Sequence, residues 1–140
     1  MASEFQLEIL SPVRKIFTGS VSEVVLPSYN GEVGVLPGHE DFIGILGTGP
    51  LKIVRGGDDY WFMVSSGIYQ VKDGAVKILA ELGEDAKNVN LESAQLRLKE
   101  LDAQIASHAT FQPDDYPKWK LDHDRAKARV DIYHRTEVVN

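Results

Sequence analysis

Asn90-Leu91-Glu92-Ser93-Ala94-Gln95-Leu96-Arg97-Leu98-Lys99-Glu100-Leu101-Asp102-Ala103-Gln104-Ile105 is the stretch at which this 140-residue chain changes its period. Leu91, Ala94, Leu98, Leu101 and Ile105 step by 3, 4, 3 and 4, which draws one apolar stripe along an α-helix. Asn90 stands where an N-cap belongs, because its short side chain can accept from the free amides of a first turn. Eleven of the 12 glycines lie before residue 75, and none follows Gly83.

Upstream the period is two. Phe5, Leu7 and Ile9 alternate with Gln6 and Glu8, as in a half-buried strand. Valine and isoleucine, which suit a pleated surface, recur at Val21 and in the runs 24–26, 33–36, 51–54, 60–64, 68–71 and 75–79. Turn signals separate these runs: Asn30-Gly31, Pro37-Gly38, Gly47-Thr48-Gly49-Pro50, Gly56-Gly57-Asp58-Asp59, Ser66-Gly67 and Asp73-Gly74. Short strands at this spacing predict a β-sandwich or barrel.

Downstream, Ser107 to Pro113 reads as a loop, and a second helix is expected to begin near Asp114 or Asp115, with Pro117 tolerated in its first turn. Trp119, Ala126, Val130 and Tyr133 form one stripe, broken at His123, and Leu121, Ala128 and Ile132 form a neighbouring one. Two amphipathic helices joined by a short loop predict an antiparallel hairpin. Its apolar seam is thin, so the hairpin is expected to gain much of its stability by docking elsewhere, and to be able to move.

Composition excludes several chemistries. The chain has no cysteine, which removes disulfides, thiol nucleophiles and cysteine-ligated metals. No apolar run reaches the ~20 residues of a membrane span, and the first ten residues lack the pattern of a signal peptide. Phosphate-loop, nucleophile-elbow and zinc-helix motifs are missing. The histidines, His39, His108, His123 and His134, suggest no metal site; His39 with Glu40 and Asp41 reads as a polar turn. Asp58-Asp59 and Asp114-Asp115 flank turn residues, where turn and cap duty accounts for them.

The net charge is −6, which opposes a nucleic-acid partner. It is unevenly spread: residues 1–115 carry 9 basic and 17 acidic side chains, residues 116–140 carry 6 and 4. The positive excess falls on the second helix, so a local acidic protein surface is the better candidate partner.

Gly31-Glu32-Val33-Gly34-Val35-Leu36-Pro37-Gly38-His39 resembles the Gly-Glu-x-Gly-x-x-Pro-Gly-His segment of the ε subunit of F-type ATP synthases, called δ in mitochondria. Phe5-Gln6-Leu7-Glu8-Ile9-Leu10-Ser11-Pro12, then Phe17-Thr18-Gly19 and Val21, and Ser66-Gly67-Ile68-Tyr69-Gln70-Val71 are similar to the same family. The resemblance implies an α+β fold, a ten-stranded β-sandwich over residues 1–85 followed by a two-helix hairpin over 88–136. It also implies a non-catalytic subunit of the central rotor stalk, without cofactor. Such a subunit would be bound to the γ subunit and c-ring, coupling proton flow to ATP synthesis. It would be peripheral to the cytoplasmic face of a bacterial inner membrane. The helices would extend toward the α and β subunits to inhibit ATP hydrolysis.

Site residues follow from that resemblance. Asn30, Gly31 and Glu32 match the turn that faces the c-ring, and His39 matches the histidine near the γ contact. Ser107 and His108 match the interhelix region that approaches α and β. Lys118, Lys120, Arg125, Lys127 and Arg129 are candidates to meet an acidic loop of β, since opposite charge steers a docking helix. Many bacterial members carry Ile/Leu-Asp-x-x-Arg-Ala, which in some binds ATP. Here the aligned segment is Val89-Asn90-Leu91-Glu92-Ser93-Ala94, with Asn for Asp and Ser for Arg. Asn90 keeps the cap, but the cation that would meet phosphate is gone, so ATP binding is expected to be weak or absent. Leu121-Asp122-His123-Asp124-Arg125-Ala126 fits the pattern in the wrong helix and reads as coincidence. The alternative function is a free-standing nucleotide-sensing module whose hairpin closes on ATP.

Overall fold

The computed structural model describes residues 3–107 and 111–139, with side chains through residue 136. Among them seven strands come first: β1 (Phe5–Leu10), β2 (Lys15–Val21), β3 (Glu23–Ser28), β4 (Gly31–Val35), β5 (Phe42–Arg55), β6 (Asp58–Lys72) and β7 (Ala75–Asp85). Two helices follow, α1 (Leu91–Ala106) and α2 (Tyr116–Val139), each preceded by a single 3-10 turn. The strands hydrogen-bond in the order β2-β1-β7-β6-β5-β3-β4. Only β1 and β7 run parallel among the paired strands.

Seven strands stand where ten were expected, and two of the turn signals are not turns. Gly47-Thr48-Gly49-Pro50 lies inside β5, and Ser66-Gly67 lies inside β6. Both mark a line where the sheet bends. Up to that line Phe62 and Val64 of β6 point into the core, and beyond it Tyr69 and Val71 do, so the inward parity switches from even to odd. In β5 it switches from Leu46 to Leu51 and Ile53. The bend needs unusual backbone: Ser66 has φ 62° and Gly67 φ 133°. A Cβ on Gly67 would collide with the carbonyl oxygen of Leu79, so only glycine fits. Beside Pro50, β3 sets Leu26 and Pro27 against residues 47–51 of β5, a bulge at which the missing proline N–H is tolerated.

The bent sheet closes over one core to which all seven strands contribute, including Leu7, Ile9, Val21, Leu26, Val35, Ile53, Val64 and Ile78. The layers are tied across by the edge contact of Phe17 with Phe62, and Ser22 N–H, donating to the Val54 carbonyl at 2.8 Å, extends the β3–β5 ladder back to the end of β2.

The expected helices are present. Asn90 caps α1, its Oδ1 accepting from Ser93 N–H at 2.9 Å. Ala94 and Leu101 of the apolar stripe are buried. Before α2, Asp115 accepts from Gln112 N–H at 3.1 Å. The helices run antiparallel, since Trp119 Nε1 donates to the Leu101 carbonyl at 2.7 Å and Arg97 reaches Asp122 at 3.4 Å. The ring of His123, where the heptad pattern broke, stacks on Trp119 at 4.9 Å.

Candidate functional site

Two surfaces carry the chemistry of this molecule, and they lie on the outer faces of the two layers. The first is covered by α2. Met63, 0% exposed, packs there with Ala128 and Ile132, flanked by Trp61, Leu82, Ala86 and Val89. Polar contacts register this joint. Arg129 grips Glu84 through Nη2 at 2.7 Å and Nε at 3.1 Å, and both side chains are only 26% exposed. Arg125 Nε donates to the buried Ser65 hydroxyl at 2.7 Å, which also lies 2.8 Å from Thr48 Oγ1. A second nitrogen of Arg125 approaches Glu81 at 3.5 Å. Charge-assisted, part-buried bonds of this kind fix geometry as well as adding stability. α1 packs chiefly on α2, so α2 carries the hairpin onto the sandwich.

The second surface is bare. Ile43 and Ile45 of β5 are 68% and 60% exposed, and Ile68 of β6 and Leu79 of β7 are exposed beside them. Ile45 lies directly opposite Ile68, and Ile68 opposite Leu79, so the four form one contiguous apolar patch. Large apolar groups clustered on a sheet face mark an interaction site rather than ordinary surface.

The residues singled out from sequence distribute over both parts. Asn30 ends the exposed β3–β4 turn, and Gly31, at φ 121°, and Glu32 open β4 directly after it, both exposed. His39 is exposed, its ring 4.9 Å from that of Phe42 and its Nδ1 2.9 Å from the Glu40 carbonyl. Ser107 ends α1 as its C-cap, and His108 lies outside the described residues. The five basic residues of α2 do not act alike. Lys118 and Lys120 pair with Asp122 and Asp124 one turn on, at 3.3 and 3.1 Å. Arg125 and Arg129 face the sandwich, whereas Lys127 is exposed without an ion pair among the described residues.

The degenerate nucleotide motif is occupied structurally. Val89 packs in the joint, Asn90 and Ser93 form the cap, and Ala94 is buried against the partner helix. Among the described residues no three His, Cys, Asp or Glu side chains gather as a metal would need.

Sequence reading missed the partners of α2: Met63, Ser65, Leu82, Glu81 and Glu84. A signal was present in Tyr60-Trp61-Phe62-Met63-Val64, five apolar residues in a row, which marks a strand buried on both faces.

Comparison with known proteins is consistent across sequence and structure. A profile of the β-sandwich domain of the ATP synthase delta/epsilon chain matches residues 4–86. The chain is 39% identical over 95 residues to the ATP synthase epsilon chain of Nitratidesulfovibrio vulgaris strain Miyazaki F, covering 68% of this chain and 71% of that one. It is 35% identical over 124 residues to the epsilon chain of a Synechococcus species, covering 89% and 91%. A chain in the Euglena gracilis mitochondrial ATP synthase superposes with a TM-score of 0.81 at 21% identity, over 91% of this chain and 80% of that one.

Proposed function

Because this chain belongs to the ATP synthase delta/epsilon family, we propose that it works as a rotor subunit of the central stalk. It is an epsilon-type, non-catalytic subunit, and its parts divide the work. The sandwich, residues 1–85, attaches to the γ subunit and the c-ring and helps couple proton flow to ATP synthesis. The hairpin, residues 88–136, restrains ATP hydrolysis by reaching the α and β subunits. The described helices include none able to cross a membrane. Attachment at the cytoplasmic face of a bacterial inner membrane therefore comes through the complex.

The observation that carries this reading is the bare patch of Ile43, Ile45, Ile68 and Leu79. It lies on the layer that α2 does not cover, so the γ subunit can dock there whether the hairpin is docked or not. Asn30, Gly31 and Glu32, at an exposed turn, are offered to the c-ring, and His39 to γ. Replacing Ile45 and Ile68 together by Thr tests it. The free chain stays folded with at most a small fall in its urea midpoint, because both side chains are half-exposed and threonine suits a strand, while co-purification with γ is lost. Retained co-purification excludes this face.

The docked arrangement supports a regulatory role for the hairpin. Arg125 and Arg129 are engaged with the sandwich here, and reach another subunit only by leaving Ser65, Glu81 and Glu84. Two alternative settings of the same cations make a two-state element, which is what regulation requires.

A further inference from the structure

Beyond Ile132, the last residue of the packed joint, α2 runs over a cleft. The cleft holds about 350 Å³ and is lined by Tyr60, Trp61, Val89, Tyr133 and Thr136. Arg135 reaches back across it. Its guanidinium sits 5.4 Å above the Trp61 ring, and Nη2 lies 3.8 Å from Glu32 on β4. The pair joins the final turns of α2 to the start of β4, beside the β3–β4 turn and 103 residues earlier in the chain.

From this contact we infer that Glu32 is a shared carboxylate: it holds the last turns of α2 through Arg135, and a cationic partner that takes Glu32 releases them. This rests on the reading that the β3–β4 turn faces the ring, and it adds the partner's chemistry, a lysine or arginine presented at that turn. The basis is competition for one exposed carboxylate. A partner covering the turn removes water from Glu32 and pairs with it more closely than Arg135 does across a solvated gap. Arg135 keeps only its contact with Trp61, and the cleft beneath offers no packed core to hold the helix end. Docking at the foot of the sandwich thereby loosens the end of the helix that must leave for the hairpin to extend. The joint at Arg125 and Arg129 stays closed.

Hydrogen exchange on the full chain tests the inference, with amides 131–136 read against 120–129. Glu32→Gln and Arg135→Gln should each speed exchange at 131–136 by ~2- to 5-fold, the range open to an exposed pair. Both should leave 120–129 unchanged, and the double variant should be no faster than Arg135→Gln alone, which loses the Trp61 contact as well as the pair. Wild-type rates in Glu32→Gln, or additive effects in the double variant, overturn the inference. In the assembled ATP synthase, amides 131–136 of the wild type should exchange as fast as in free Glu32→Gln, and Arg135→Gln should add no more than it adds to Glu32→Gln in the free chain. Free-chain rates at 131–136 with the turn protected, or protection lost equally across 120–136, refute the release. If amides 29–33 gain no protection on assembly, the ring contact itself fails and the release falls with it, although the free-chain coupling identifies which part was wrong.

Discussion

Arg129 of α2 holds Glu84 of β7 through two nitrogens, at 2.7 and 3.1 Å, and so fixes the helical hairpin against the sandwich. The contact is part-buried and charge-assisted, and Ser65, bonded to Arg125 one helical turn earlier, extends it. The docked hairpin is held by this polar register together with a small apolar cluster around Met63 and Ile132.

Glu84→Gln should weaken docking by about 1.5–3 kcal/mol, the range for hydrogen bonds to charged groups. Hydrogen exchange across α2 should accelerate while exchange in the sandwich core holds. In the assembled complex the same substitution should deepen inhibition of ATP hydrolysis, because the released arginines become available to a partner. Slower exchange, or weaker inhibition, would contradict the assignment.

The five basic residues of α2 should separate into two classes. Neutralising Lys118, Lys120 and Lys127 should relieve inhibition and leave the docking of the free chain unchanged, since none of the three is paired with the sandwich among the described residues. Neutralising Arg125 and Arg129 should change both properties. Inhibition that survives loss of all five charges would remove the electrostatic account of the contact.

Gly67→Ala should destabilise the sandwich by about 2–5 kcal/mol, from the positive φ and the collision with the Leu79 carbonyl. Urea unfolding measures it. A loss below about 0.5 kcal/mol, the range of ordinary surface substitutions, would mean that the bend in β6 does not depend on glycine.

Isothermal calorimetry should show no micromolar affinity for ATP. Asn90 and Ser93 are committed to capping α1, and no cation stands at the position of the family's arginine. A micromolar constant would revive the nucleotide-sensing alternative.

The change of period at Asn90 made the division into strands and helices legible, as did the stripe of Ala94 and Leu101 and the cap itself. The strand count was not. Gly47, Pro50, Ser66 and Gly67 have the composition of turns, yet here they bend strands that continue, and local residue preferences alone do not distinguish a bend from a reversal. The targets of α2 were hidden for another reason. Arg125 and Arg129 look like solvated charges on an amphipathic helix, and their burial depends on Ser65 and Glu84, which lie 60 and 45 residues away. The bare face was equally obscure, because Ile43 and Ile45 alternate just as core residues do. Only the switch of parity at the bend puts them outside.

ATPase activity and subunit content of the reconstituted complex, measured with residues 88–140 deleted, test the division of labour most directly. The core shared by all seven strands is separate from the cluster beneath α2, so the sandwich keeps its own packing in the deletion. The account predicts that the truncated subunit stays in the complex and that ATP hydrolysis rises. Loss of the subunit, or hydrolysis unchanged from the full-length complex, would contradict it.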